Sequence, residues 1–377
     1  MSRPAKITVD LTAIQYNYQL AQALAQLSAP SLAKSPKTLA VVKADAYGHG
    51  SVEVAKALTA QVEMFAVSCL EEAIHLRNAG VQNKILLLAG FFEVADIDLG
   101  IQQNCEFVLH NHVQIQTLLD TSLDNPITVW LKIDTGMHRL GVSIDTVQEV
   151  FAQLSASKNI ENIRLLSHFS NADDLTSDYT AAQVADFNAC VSSLIQQQAK
   201  AKHCELSLAN SAGVLAWPDS RLDWNRPGIM LYGLTPFITS HPEADKLIPA
   251  MTFTSQIIAL RNVLIGESVG YGNTWIAQRD SVIATIAVGY GDGYPRTAKS
   301  GTPVLVNGQR VSLVGRVSMD LICVDVTDLA EVEIGAPVEL WGKHLSANEV
   351  AKWADTIGYE LVTRMPNRAK KEFIKCK

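Results

Sequence analysis

Short apolar runs separated by longer amphipathic stretches set the rhythm of the first two thirds of the chain. Runs at 39–42, 64–67, 85–88, 107–109, 129–133, 163–166, 206–208 and 229–231 have the length and the apolar content of strands buried on both faces. Most of the gaps carry helix-like segments, at 51–58, 71–78, 94–99, 113–119, 146–154 and 179–198. Parallel strands need a crossover, usually helical, so eight strands alternating with helices predict an α/β fold, a (β/α)8 barrel spanning residues 1–236. A doubly wound open sheet is the alternative arrangement of the same elements. Ahead of the series, Ile7, Val9 and Leu11 alternate with polar residues, and Asp10 is placed to cap a helix carrying Ile14, Leu20, Leu24 and Leu27.

The pattern breaks around 235–250, where Pro236, Pro242 and Pro249 punctuate a polar connection. Beyond it the texture is that of strands, at 252–260, 282–288, 304–306, 311–314, 321–326 and 338–340, with Asn307-Gly308 as a hairpin signal. One helix is predicted over 346–357, opened by a Ser-Ala-Asn-Glu capping box. Residues 237–377 therefore read as a mainly β second domain.

Composition adds limits. The chain has 377 residues, 48% hydrophobic and 18% charged, with a net charge of −7 that argues against nucleic acid or an anionic membrane as partner. Cys69, Cys105, Cys190, Cys204, Cys323 and Cys376 show no metal-ligand spacing and read as free thiols in a reducing compartment. The amino-terminal residues have no apolar signal core and no run is long enough to span a bilayer, so the expected location is the cytoplasm.

In a barrel of this kind, chemistry collects at the C-terminal ends of the strands. The first apolar run leads straight into Lys43, within Val-Val-Lys-Ala-Asp-Ala-Tyr-Gly-His-Gly. A lysine at the edge of a dry strand has a costly ammonium form, so its amine deprotonates more easily and can attack a carbonyl. Polar motifs follow later runs in the same way: Lys132 to Arg139, His168 to Asp173 and Asn210-Ser211-Ala-Gly213, while Asn225-Arg226-Pro-Gly228 precedes the eighth run. The last two suit a phosphate, through backbone N–H groups and a hydroxyl. In the second domain, Tyr271 stands between glycines, a poor setting for a core aromatic.

Taken together these strings resemble the alanine racemase family, through both domains. That resemblance implies pyridoxal 5'-phosphate (PLP) bound to Lys43 as a Schiff base. It implies a phosphate held by Tyr47, Asn210, Ser211, Gly228, Ile229 and Tyr359, and Arg226 facing the pyridine nitrogen, where most PLP enzymes set a carboxylate. Arg139 would contact the cofactor and the substrate carboxylate, steadied by a carbamylated Lys132. Tyr271 would be the second acid/base, hydrogen-bonded to His168 and supplied by the other subunit of a homodimer. Met319 would offer its backbone N–H to the substrate carboxylate, Tyr290 and Asp173 would line the entrance, and Asp320 would support the site, with Ser318 where some relatives carry Cys. No metal is implied. The expected reaction is interconversion of L- and D-alanine by two bases, supplying D-alanine for peptidoglycan. The rivals are a broad-specificity racemase, a PLP-dependent decarboxylase and a non-catalytic PLP-binding protein. Arg226 speaks against the decarboxylase, and Tyr271 with Met319-Asp320 against the carrier.

Overall fold

The structure is a computed structural model that describes residues 3–27 and 35–375; Cys376 lies outside the described residues. Its first sheet is a parallel barrel. The strands run in sequence order as Ala40–Val41, Met64–Val67, Lys84–Leu87, Cys105–Leu109, Ile127–Asp134, Ile160–Leu166, Leu206–Ser207 and Trp224–Asn225, each paired with the next. The ring closes because Lys37–Thr38, one residue upstream of Ala40, pairs in parallel with Trp224–Asn225. Helices cover the outside, from Ser51–Leu58 to Tyr179–Gln197.

The eighth strand differs from expectation. The apolar run at 229–231 is not a strand but part of a buried 3-10 turn, Ile229–Tyr232, packed on the first helix; the strand is the two-residue Trp224–Asn225. A run buried on all sides is apolar whether it is strand or helix, so periodicity alone does not separate the two.

Side-chain parity along the barrel strands decides what reaches the site. Val41, Trp130, Leu166 and Trp224 belong to the cluster that fills the barrel interior, together with Leu39, Met64, Ala66, Leu86 and Val108. Two residues on, the same face carries Lys43, Lys132, His168 and Arg226, since strand side chains repeat with period two. The interior is also tied by polar bonds. Trp130 Nε1 donates to Glu106 at 2.6 Å and Trp224 Nε1 to Glu205 at 3.0 Å, while Arg164 pairs with both carboxylates and lies over both indoles at 5.1 and 5.4 Å.

The second sheet holds eight strands, six of them forming a ring because the 13-residue strand Met251–Val263 pairs with both Pro337–Trp341 and Ser281–Ile286. One strand from before the 236/237 division belongs to this second sheet. Lys6–Asp10 does not join the barrel but pairs with Met251–Val263 and with the last strand, Lys370–Ile374. Its alternation, with Ile7 and Val9 buried between half-buried polar residues, is that of a sheet with one buried face.

Asp10 caps the first helix as expected, accepting from Thr12 N and Ala13 N. The helix expected over 346–357 is two. Ala347–Trp353 stops before Asp355, which is left-handed at φ 53°, and Gly358–Thr363 follows. The capping box is half formed. Ser346 accepts from Asn348 N, but Glu349 pairs with Arg310 instead of turning back to the cap.

Candidate active site

A cavity of about 510 Å³ opens at the C-terminal end of the barrel strands. Its lining includes Lys43, Tyr47, Lys132, Arg139, His168, Asn210, Ser211, Arg226, Gly228, Ile229 and Tyr359. Eleven positions singled out from the sequence thus converge on one space. Four of the lining residues are Lys or Arg and none is a carboxylate, so the cavity selects anions.

Lys43 opens an unusual stretch. Ala44, Asp45, Ala46 and Tyr47 all have φ between 52° and 54°, a left-handed turn made of non-glycine residues. Each such residue costs about 1–2 kcal/mol, so the turn stores roughly 4–8 kcal/mol that surrounding contacts must offset. Several do. His49 is fully buried, its ring stacked on Tyr232 with centroids 4.5 Å apart and its Nδ1 2.9 Å from Tyr47 O. Burial lowers the His49 ring to about 4, so the neutral imidazole donates from Nδ1. Gly48 ends the turn at φ 79°, and a Cβ there would lie 1.9 Å from Val362 O, in the helix that carries Tyr359.

Burial lowers the pKa of the Lys43 amine, Arg139 lowers it further, and Glu72 opposes both. Lys132 is pulled down to about 8 by burial and then by Arg226 and Arg139. Two cations facing a buried ammonium favour its neutral form. Arg226 is fully enclosed, donating to Ser207 Oγ at 2.5 Å, to Ser167 O at 2.6 Å and to Leu208 O at 3.4 Å. None of these partners is a carboxylate. Burial brings its pKa to about 10, still far above neutrality, so the guanidinium stays charged. Burial and then Arg226 hold His168 well below the usual imidazole range, and the ring is neutral.

A second cluster in the cavity consists of hydroxyls and amides. Ser211 follows Asn210, whose side chain caps the helix Ser211–Ala216 by accepting from Gly213 N at 3.0 Å. Ser211 Oγ then lies 2.8 Å from Gly228 N and 3.3 Å from Met230 N. Gly228 has no room for a side chain, since a Cβ would sit 2.5 Å from Tyr47 Oη. Burial raises the Tyr47 phenol to about 12, and burial likewise raises that of Tyr359, so both hydroxyls keep their protons.

The sequence matches the family described as alanine racemase, N-terminal domain, over residues 9–236, and alanine racemase, C-terminal domain, over 250–373. The chain belongs to the alanine racemase family. It is 51% identical to the alanine racemase of Pseudoalteromonas atlantica, over 99% of this chain and 100% of that protein. It is 44% identical to the catabolic alanine racemase of Pseudomonas putida, over 99% of each. Among solved structures it resembles the biosynthetic alanine racemase of Pseudomonas aeruginosa, with a TM-score of 0.90, 45% identity and coverage of 99% of both chains.

In this alanine racemase-family chain the remaining expected site residues lie elsewhere. Tyr271, Tyr290, Met319 and Asp320 do not line the cavity. They sit on three adjoining loops of the second domain. Tyr290 N donates to Ser318 O at 3.0 Å and Gly291 N to Met319 O at 2.9 Å. A Cβ on Gly315 would lie 2.6 Å from Val269 O, beside the Tyr271 loop. The side chains point outward: Tyr271 is 70% exposed, Met319 52% and Tyr290 41%. Asp320 pairs with Arg368, which also reaches the buried Asp292, itself gripped by Arg3 at 2.6 Å. Asp173 is exposed and outside the cavity lining. Ser318 donates to Leu321 O at 2.7 Å.

Several contributors were missed. Ser207 and the Ser167 carbonyl hold Arg226, and Ser68, Leu88, Ala89 and Thr363 are among the other residues of the cavity wall. Ser207 and Arg226 share the inward face of neighbouring strands, a signal that strand parity carries once the eighth strand is placed correctly. Cys69, Cys105, Cys190, Cys204 and Cys323 are free thiols, and among the described residues no helix is long and apolar enough to cross a membrane and no metal-ligating cluster occurs.

Proposed function

We propose that this chain is a PLP-dependent racemase that interconverts L- and D-alanine at a site shared by two copies of itself. The observation that carries the proposal is the single anion-selective cavity joining the Lys43 amine, the Tyr47–Ser211–Gly228 cradle and the buried cation Arg226. These residues fit the cofactor: the cradle suits a phosphate, Lys43 its aldehyde, and Arg226 its pyridine nitrogen. A guanidinium donates an N–H to that nitrogen but does not give the proton up, unlike a carboxylic acid. Bound PLP supplies an electron-withdrawing ring conjugated to the substrate amine, which acidifies the Cα proton.

The chain's own groups do the rest. Arg139, with the backbone amide of Met319 of the partner subunit, orients the substrate carboxylate. Lys132, its amine partly neutral at physiological pH, fits conversion to a carbamate, which would replace a cation beside Arg139 with an anion. Racemisation needs proton transfer on both faces of one carbon. Lys43 serves the D-isomer and Tyr271 of the partner subunit the L-isomer. His168 Nδ1 lies 3.4 Å from Arg226 Nη2 and accepts from it, so the imidazole proton sits on Nε2, free to donate to the Tyr271 phenolate.

The homodimer is supported by placement. Tyr271, Tyr290 and Met319 face outward on one lip of the second domain, and an isologous pair offers that lip to the partner's cavity twice over. The free thiols fit a reducing compartment, and the proposal places the enzyme in the cytoplasm. Peptidoglycan synthesis is the consumer of D-alanine this reading suggests. The test is a racemisation assay over a panel of L-amino acids with and without added PLP. PLP-dependent turnover favouring alanine is expected. Turnover without PLP, carbon dioxide release, or equal rates across the panel would overturn the assignment.

A further inference from the structure

We propose that Glu72 is a positioning residue for Lys43, setting the direction of the reactive amine by gripping the first amide of the left-handed turn. The inference rests on the reading of Lys43 as the amine of the site. Glu72 lies in the first turn of the helix Leu70–Asn78, just after the strand next to the one that leads into Lys43. Its two carboxylate oxygens are divided between two chain segments. Oε1 accepts from Ala44 N at 2.6 Å and Oε2 from Ser68 N at 2.7 Å.

The Ala44 amide belongs to the peptide unit that leaves Lys43. Fixing it fixes the plane from which the Lys43 side chain departs. The Ala44–Tyr47 backbone is strained throughout, so its geometry persists only where contacts impose it. The other anchors act further along. Asp45 accepts from Ser51 N at 2.7 Å and from Lys371 Nζ at 2.8 Å, and His49 holds the Ala46 and Tyr47 carbonyls. Among the described residues Glu72 is the side chain bonded to the Lys43–Ala44 peptide itself. Ser68, its second amide, lines the same cavity, so one carboxylate ties the wall to the base.

Glu72 is also the anion that acts on the amine, opposing burial and Arg139. Glu72→Asp keeps charge and oxygens but withdraws them by one methylene. Glu72→Gln removes the charge and one of the two acceptors. Glu72→Ala removes both acceptors and the charge.

Three measurements decide. In the cofactor-free chain, amide hydrogen exchange over residues 44–47 should speed up about tenfold or more in Glu72→Ala, with the 129–133 strand unchanged. In the PLP-loaded enzyme, Glu72→Ala and Glu72→Gln should lower kcat roughly 10- to 100-fold while KM for alanine stays within about threefold. The primary deuterium isotope effect on D-alanine, whose proton Lys43 removes, should rise, and that on L-alanine should not. Glu72→Asp should recover part of the loss. Wild-type exchange at 44–47 in both Glu72→Ala and Glu72→Gln would overturn the proposal, as would isotope effects that change equally for both isomers. A wild-type enzyme that racemises nothing would sink the functional reading alone, and the exchange data would still decide on Glu72.

Discussion

Arg226 Nη2 lies 3.4 Å from Nδ1 of His168, and that contact fixes which ring nitrogen of the histidine carries the proton. It also joins two roles in one side chain. The same guanidinium that faces the cavity from the eighth strand dictates the tautomer of the group proposed to support the second base. Its own bonds go to a hydroxyl and carbonyls, so nothing nearby neutralises it.

Replacing Arg226 with glutamate should therefore do more than slow the enzyme. A carboxylic acid can transfer its proton to the pyridine nitrogen, whereas the arginine only donates a hydrogen bond to it. Racemisation should fall on the order of 100-fold, the scale for loss of one preorganised charge. The fraction of turnovers ending in transamination should rise. Pyruvate formed per alanine racemised is the readout, and an unchanged ratio would remove this account of Arg226.

Gly228→Ala should weaken PLP binding. The new Cβ would lie 2.5 Å from Tyr47 Oη, and Ser211 Oγ shares the same amide. A loss of about tenfold in affinity, some 1.4 kcal/mol, is expected in titrations of the cofactor-free chain. Adding Tyr47→Phe should recover part of that loss, because it removes the nearest clashing atom. No recovery would mean that the glycine is needed for another reason.

His49 predicts a stability change with pH. Its folded pKa is about 4 and its unfolded value near 6.5. Above that range both states are neutral and the residue contributes nothing to pH dependence. As pH falls, the unfolded chain takes up a proton that the folded chain refuses, so stability drops by about 2 kcal/mol between pH 7 and 5 and keeps falling towards pH 4. Urea unfolding of wild type and His49→Gln at the two pH values isolates the effect. The acid loss should be smaller by that amount in the variant, and equal losses would contradict it.

Much of this arrangement is legible in the sequence. Apolar runs ending in Lys43, Lys132 and His168 gave away both the strands and the side chains at their ends. Arg226 stands out by its neighbours, although the strand that leads into it is Trp224–Asn225 and not the 229–231 run. Trp224–Asn225 is too short and too polar to stand out, while the 229–231 run is buried on every side. The Ala44–Tyr47 turn is not legible in the sequence, since of Ala-Asp-Ala-Tyr only Asp45 tolerates a left-handed backbone and only Gly48 hints at its end. Lys6–Asp10 was recognisable as a strand, yet its pairing with Met251–Val263 joins residues some 245 apart, beyond the reach of local pattern.

The claim on which the account turns is that Lys43 and Tyr271 act on one carbon from different chains. Mixing two inactive proteins tests it most directly. Lys43→Ala and Tyr271→Phe, each without racemase activity alone, should regain it when unfolded together and refolded as mixed dimers. One of the two sites in a mixed dimer then has both bases intact. If mixed dimers form and stay inactive, the two residues do not meet across the pair, and the shared site is wrong.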